Sequence, residues 1–177
     1  LGIEPFEQRV HDKELLRSAP ELATMQVNVG YRCNLACSHC FLESGPRRTE
    51  VMSRDTMEAV LAAFATGGFR TLDITGGSPE MNPDLEWFVR AASEVADEVI
   101  VRSNLTILDM PEYRHFKRVY ADCKVHLVTS LPYFNEQGCD LQRGRNVFDC
   151  VVKVLRELNE LGYGVDPALK IDVAYNV

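Results

Sequence analysis

The feature that most constrains this chain is an alternation of short strand-like runs with amphipathic helical stretches. Met25, Val27 and Val29 alternate with polar residues, the period-two pattern of a strand. Ser53 then stands as an N-cap ahead of Met57, Val60, Leu61 and Phe64, which share one helical face, and Gly67 and Gly68 supply the stop. A second strand runs from Arg70 to Thr75. After a glycine turn, Asn82 and Pro83 read as the N-cap and first residue of a helix carrying Leu85, Phe88, Ala92 and Val95. Glu98 to Arg102 is a third strand, followed by a helix containing Phe116, Val119 and Tyr120, and Lys124 to Leu131 is a fourth. A polar loop with Pro132, Gly138 and Gly144 leads to an Asn146 N-cap. The helix that follows is marked by Phe148, Val151, Val152, Leu155 and Leu158 and ends at Gly162, before a fifth strand from Leu169 to Asn176.

Five strands alternating with four helical segments predict right-handed βαβ units, an α/β fold with a parallel sheet. Such sheets bind ligands at the carboxyl ends of their strands, so the residues just after each strand are the place to look for chemistry. The 177 residues suit one domain, with a lead segment over 1–21 and the core over 22–177. A hydrophobic share of 46% and a charged share of 25% exclude a disordered chain. With 19 Lys and Arg against 26 Asp and Glu, the formal charge of −7 lacks the footprint of a phosphate-backbone binder, so nucleic acid is not an expected partner. No apolar run approaches the roughly 20 residues of a membrane span, and the charged start is unlike a signal peptide, which points to the cytoplasm. A first residue of Leu and an apolar, strand-like last segment predict a fragment.

Three of the six cysteines, Cys33, Cys37 and Cys40, crowd into a C-x3-C-x2-C loop directly after the first strand. Crowding of this kind points to metal or redox work rather than to a disulfide scaffold. Closely spaced thiolates suit an iron–sulfur centre, and a cubane with three protein ligands leaves one iron open to a chelating substrate such as the amino and carboxylate groups of S-adenosylmethionine. The alternative is a structural zinc site with His39 as fourth ligand; against it, no second knuckle exists elsewhere in the chain. Cys150 falls on an apolar helical face as a small core residue, while Cys123 and Cys139 have no partner at metal-ligand spacing. His11, His115 and His126 are isolated, Trp87 reads as packing, and Arg47 with Arg48 as a solvated pair.

The cysteine spacing, and its place after the first strand, resembles the radical S-adenosylmethionine (SAM) superfamily. The resemblance implies a partial parallel (β/α)6-type barrel, a 4Fe–4S cluster on Cys33, Cys37 and Cys40, and one-electron cleavage of SAM to methionine and a 5′-deoxyadenosyl radical. It further implies that the turn TGGSPE, residues Gly76, Gly77, Ser78, Pro79 and Glu80, binds the methionine amino group, with the glycines admitting a close approach of the backbone. His39 and Phe41 would lie beside the adenine. Asn104 and Ser130, at the ends of the third and fourth strands, would reach the ribose or methionine, Arg143 the carboxylate, and Asn176 the adenine or substrate. A low-potential donor such as a ferredoxin or flavodoxin is implied as partner, and the substrate is a small molecule.

More narrowly, CNLACSHC, GPRRTEVMSRDTMEAVL, TGGSPEMNPDLEW, RSNLTIL, SLPYF, QRGRNVF and YNV resemble the arsenosugar biosynthesis radical SAM proteins over roughly residues 22 to 177. That resemblance implies transfer of a 5′-deoxyadenosyl group to a methylated arsenic(III) species. Phe41 stands where that family is expected to have His, Ser78 where the superfamily often has Glu, and the chain stops before an expected sixth strand and C-terminal domain. A peptide or cofactor maturase, and a non-catalytic iron–sulfur module, are the other functions these residues fit.

Overall fold

In the computed structural model, which describes residues 22–175, the strands fall in the sequence order β1-β2-β3-β4-β5 and every neighbouring pair is parallel. They are β1 (Thr24–Asn28), β2 (Thr71–Thr75), β3 (Glu98–Arg102), β4 (His126–Ser130) and β5 (Ile171–Ala174). Helices α1 (Arg54–Gly67), α2 (Leu85–Val95), α3 (Phe116–Asp122), α4 (Glu136–Arg143) and α5 (Val147–Glu160) connect them, with short 3-10 turns at Pro79–Met81 and Thr106–Asp109. A sheet whose strands follow one another without reversal is wound in one direction, which puts its crossovers on one face and gives the arc of a β/α barrel. The lead segment and Asn176 lie outside the described residues.

Register explains the two faces. Val27, Ile74, Val101, Leu127 and Ile171 are paired across all five strands, an aliphatic row, buried from Val27 to Leu127, that packs under the helices. One residue away, side chains point to the opposite face, where Gln26 and Asp73 are paired and Arg102 pairs with Val128. That concave face is polar and bonded to itself. Gln26 Nε2 donates to Asp73 Oδ2 at 2.7 Å, and Arg102 donates to both Asp73 oxygens at 2.8 Å. Lower down, the ring of His126 lies between Glu98 Oε1 at 3.1 Å and Asp172 Oδ2 at 3.0 Å, tying β3, β4 and β5 together.

Ser53 caps α1 as expected, accepting from Thr56 N–H, and Gly68 ends it at φ 73°. Two expectations are corrected. Helix α2 begins at Leu85 with Asp84 at its N-cap, two residues after the predicted pair, because the Asn82 carboxamide is drawn elsewhere. Its Nδ2 donates to Val29 O at 2.9 Å and Met52 O at 3.0 Å, and its Oδ1 accepts from Asp84 N–H. On the same helix Val89 is buried and Val95 exposed.

The second correction is the polar loop after β4, which contains α4. Asn135 caps it by accepting from Gly138 N–H, and Cys139 anchors it in the core. Gly138 allows the approach, since a Cβ there would stand 2.6 Å from the Tyr133 ring. Asn146 occupies the N-cap position of α5 without a side-chain bond, and the capping oxygen comes from Asp140, which accepts from Phe148 N–H at 3.0 Å.

Val29 and Met52 are the two ends of the cysteine-bearing loop, joined by Met52 N–H donating to Val29 O at 3.0 Å. Asn82 clamps both ends from below. Removing it takes the Asn82 donor from Met52 O and leaves Val29 O with Met52 N–H alone, at roughly 1–3 kcal/mol for the carbonyl so orphaned. Asn82→Ala is therefore expected to lower unfolding stability by about 2 kcal/mol, read as a lower urea midpoint with an unchanged slope.

Candidate radical SAM site

The loop between β1 and α1 is built largely from backbone bonds. Tyr31 N–H donates to Glu50 O at 3.0 Å, Cys33 N–H to Gly45 O at 3.2 Å, and Cys40 N–H to Cys37 O at 3.2 Å. Arg48 straps the outside. It holds Glu50 through Nε and Nη2, donates to Glu43 O at 3.0 Å, and lies 4.7 Å over the Tyr31 ring. It is thus a loop fastener that stays partly solvated, with 31% of its side chain exposed.

The loop docks on the turn after β2. Gly77 N–H donates to Gly30 O and Ser78 N–H to Arg32 O, both at 2.9 Å. The contact is so close that a Cβ on Gly76 would stand 2.7 Å from Gly30 O, and one on Gly77 2.4 Å from Arg32 O. The glycines therefore admit the loop's own backbone. Among the described residues no donor takes the Gly76 or Gly77 carbonyls, which remain available to a ligand.

These elements enclose a cavity of about 300 Å3 at the carboxyl ends of the strands. Cys33, Cys37, Cys40, His39, Phe41, Gly76, Gly77, Asn104, Ser130 and Arg143 all line it, as sequence reasoning had grouped them. Phe41 is 91% exposed at its rim. Arg102, which the sequence did not single out, also reaches it. Ser78 lies behind Cys33, with 3.3 Å between its Oγ and the sulfur. Pro79 and Glu80 are buried away from the cavity.

Glu80 faces Tyr120, whose hydroxyl donates to its Oε1 at 3.0 Å, while Oε2 has no partner. Burial pushes the Glu80 carboxyl above its ordinary range, against the nearby Ser103 and the Tyr120 bond, which favour the anion. Arg143 is the last residue of α4, buried, and donates through Nη1 to Ser130 O. The same helix end accepts Ser38 N–H at Gln142 O, at 3.0 Å, so α4 holds the middle of the cysteine loop. Burial pushes the Cys37 thiol up, and the Arg143 guanidinium opposes it.

Among the described residues, no three Cys, His, Asp or Glu side chains converge tightly enough for a single ion. The three thiols that line the one cavity are the donor type that holds an iron–sulfur cluster. Residues 27–172 match the family model of the radical SAM superfamily. The chain belongs to that superfamily. Its members are enzymes that use a 4Fe–4S cluster with SAM.

Among curated relatives, the radical SAM chain is 28% identical over 142 residues to the antilisterial bacteriocin subtilosin biosynthesis protein AlbA of Bacillus subtilis, covering 80% of this chain and 31% of that one. It is 28% identical over 163 residues to the mycofactocin maturase MftC of Mycolicibacterium smegmatis, covering 92% and 40%. Among solved structures, SuiB of Streptococcus suis bound to S-adenosylmethionine superposes with a TM-score of 0.70 at 19% identity, covering 86% of this chain and 33% of that one. The chain thus spans about a third of the length of the proteins it matches. No helix among the described residues is long and apolar enough to cross a membrane.

Two outcomes follow from this geometry. Gly77→Val is expected to push the cysteine loop off the turn and so reduce both iron retention and SAM binding, measured by iron analysis and equilibrium dialysis after anaerobic reconstitution. The second concerns Glu80. A carboxyl whose pKa is raised by folding is neutral at no cost below its unfolded value and loses stability as pH rises past it. Glu80→Gln is therefore expected to flatten the fall in stability expected of the wild type as pH rises past the ordinary carboxyl value of 4.5, followed by urea denaturation at each pH.

Proposed function

We propose that this chain, as part of its whole protein, cleaves SAM reductively and transfers the 5′-deoxyadenosyl group to a methylated arsenic(III) species, as in arsenosugar biosynthesis. What carries the SAM part of the reading is the single cavity shared by Cys33, Cys37, Cys40 and the open carbonyls of Gly76 and Gly77. When bound through the three cysteines, a 4Fe–4S cluster supplies one electron to the sulfonium. The Gly76 and Gly77 carbonyls accept from the methionine amino group. Arg143, whose Nη1 donates to Ser130 O, pairs with the carboxylate as a fork matched to two oxygens. Ser130 serves the ribose, and His39 with the exposed Phe41 ring covers the adenine at the rim. A ferredoxin or flavodoxin delivers the electron.

The arsenic part is supported by the run of motifs from CNLACSHC to YNV. A second reading, modification of a peptide or cofactor, is favoured by the alignment with MftC, which extends over 92% of the chain. The two part in their products. With dithionite, SAM and dimethylarsinous acid, the first reading gives an arsenic-bearing nucleoside by mass spectrometry; hydrogen abstraction gives 5′-deoxyadenosine alone. Absence of both products from a cluster-loaded protein would leave a non-catalytic module. Cys33→Ala, Cys37→Ala and Cys40→Ala are each expected to abolish the visible absorbance of the cluster. Wild-type iron content in any of them would falsify the ligand set.

A further inference from the structure

The polar residues behind Cys33 form a closed ring. Asn34 Nδ2 donates to Thr106 Oγ1 at 2.9 Å, Thr106 Oγ1 donates to Asn104 Oδ1 at 2.9 Å, and Asn104 Nδ2 returns to Asn34 Oδ1 at 2.9 Å. Ile107 N–H adds a second donor to Asn104 Oδ1 at 3.2 Å. With its oxygen so occupied, the Asn104 carboxamide must present its NH2 edge to the Cys33 sulfur, 3.5 Å away. The backbone is bent to hold this pose. Leu105, fully buried, sits at φ 62°, a left-handed conformation that an L side chain adopts only where its surroundings enforce it.

Ser78 completes the set. Its Oγ lies 3.3 Å from Cys33 Sγ, 2.8 Å from Asn34 Oδ1 and 2.9 Å from Asn104 Nδ2. The Ser78 hydroxyl can donate to Asn34 Oδ1 or, after a rotation about its Cβ–Oγ bond, to the sulfur of Cys33 as a cluster ligand. Asn34 Oδ1 still keeps the Asn104 donor. The thiolate then faces Ser78 O–H, Asn104 N–H and Leu35 N–H, the last at 3.4 Å, and no member of the ring is orphaned. Cys37 Sγ lies 3.9 Å from Arg143 O, an acceptor, and feels the Arg143 guanidinium, but among the described residues no hydrogen-bonded ring like that at Cys33 surrounds either of the other two cysteines.

We propose that Ser78 and Asn104 are positioning residues for the Cys33 thiolate, and that their donated hydrogen bonds raise the reduction potential of the cluster it ligates. The inference rests on the cluster assignment and goes beyond it. Reduction adds negative charge that spreads onto the ligand sulfurs, so donors aimed at a sulfur favour the reduced form. Thr106 acts one step further back, by fixing which edge of Asn104 faces the sulfur.

The test is an EPR-monitored redox titration of the anaerobically reconstituted chain, with Ser78→Ala, Asn104→Ala and Thr106→Val compared at matched iron content. Ser78→Ala and Asn104→Ala are expected to shift the midpoint to more negative values. At a fixed potential the ratio of reduced to oxidised cluster falls by up to about tenfold, equivalent to about 59 mV for a one-electron couple. Thr106→Val shifts it in the same direction by less. A variant that keeps the wild-type circular dichroism spectrum but takes up no iron also supports the assignment, because its cysteines are intact. Unchanged or raised midpoints in loaded Ser78→Ala and Asn104→Ala overturn it, and unchanged Thr106→Val alone overturns the relay through Thr106. If the wild-type chain itself assembles no 4Fe–4S signal, the failure lies with the cluster assignment.

Discussion

The structure depends on one close contact, the docking of the cysteine loop onto the glycine turn after β2. Two backbone bonds at 2.9 Å join Gly77 and Ser78 to Gly30 and Arg32, with no room for a Cβ on either Gly76 or Gly77. A loop of this length pays a conformational entropy that local turns alone do not offset. Here the cost is met by continuing the β1–β2 pairing past the ends of both strands, by the Asn82 clamp at the loop's two ends, and by the Arg48 strap outside it. The same contact places both glycines of the turn on the cavity that the cysteines line. Cavity wall and loop anchor are therefore one piece of backbone.

Much of the fold was legible because its signal is periodic. The β3 limits, the Ser53 cap and the Gly68 stop followed from spacing and cap chemistry alone. Helix α4 was not legible, since Asn135–Gly144 is polar, contains a glycine, and is held by contacts distant in sequence: Cys139 in the core and Gln142 on the cysteine loop. The shift at Asn82 has the same origin. An Asn–Pro pair is a good helix start locally, and tertiary demand for its Nδ2 from Val29 and Met52 moved the start to Leu85.

The site divides along similar lines. The spacing of Cys33, Cys37 and Cys40 and the glycine turn could be read because each is a short local pattern. Asn34 and Thr106 could not, since their meaning appears only when β3 brings Asn104 beside the cysteine loop. Arg102 was hidden for another reason. On a strand of alternating Val and Ile it looks like an ordinary exposed residue, and only its diagonal bonds to Asp73, whose register partner is Ile100, show that it is bridged on the concave face, with 45% of its side chain still exposed.

The three cysteines differ in what holds them, and the difference follows the fold. Cys33, next to β1, is buried against a hydrogen-bonded ring contributed by the turn after β2 and the segment after β3. Cys37 is half-buried and its neighbour Ser38 is tied to α4, an element that the sheet carries through β4. Cys40 is reached by a local turn, its N–H bonded to Cys37 O and its own carbonyl to Glu43 N–H. The hold on the three thiols thus passes from side-chain bonds brought by the ends of two strands at Cys33, through a helix end at Cys37, to a local backbone turn at Cys40.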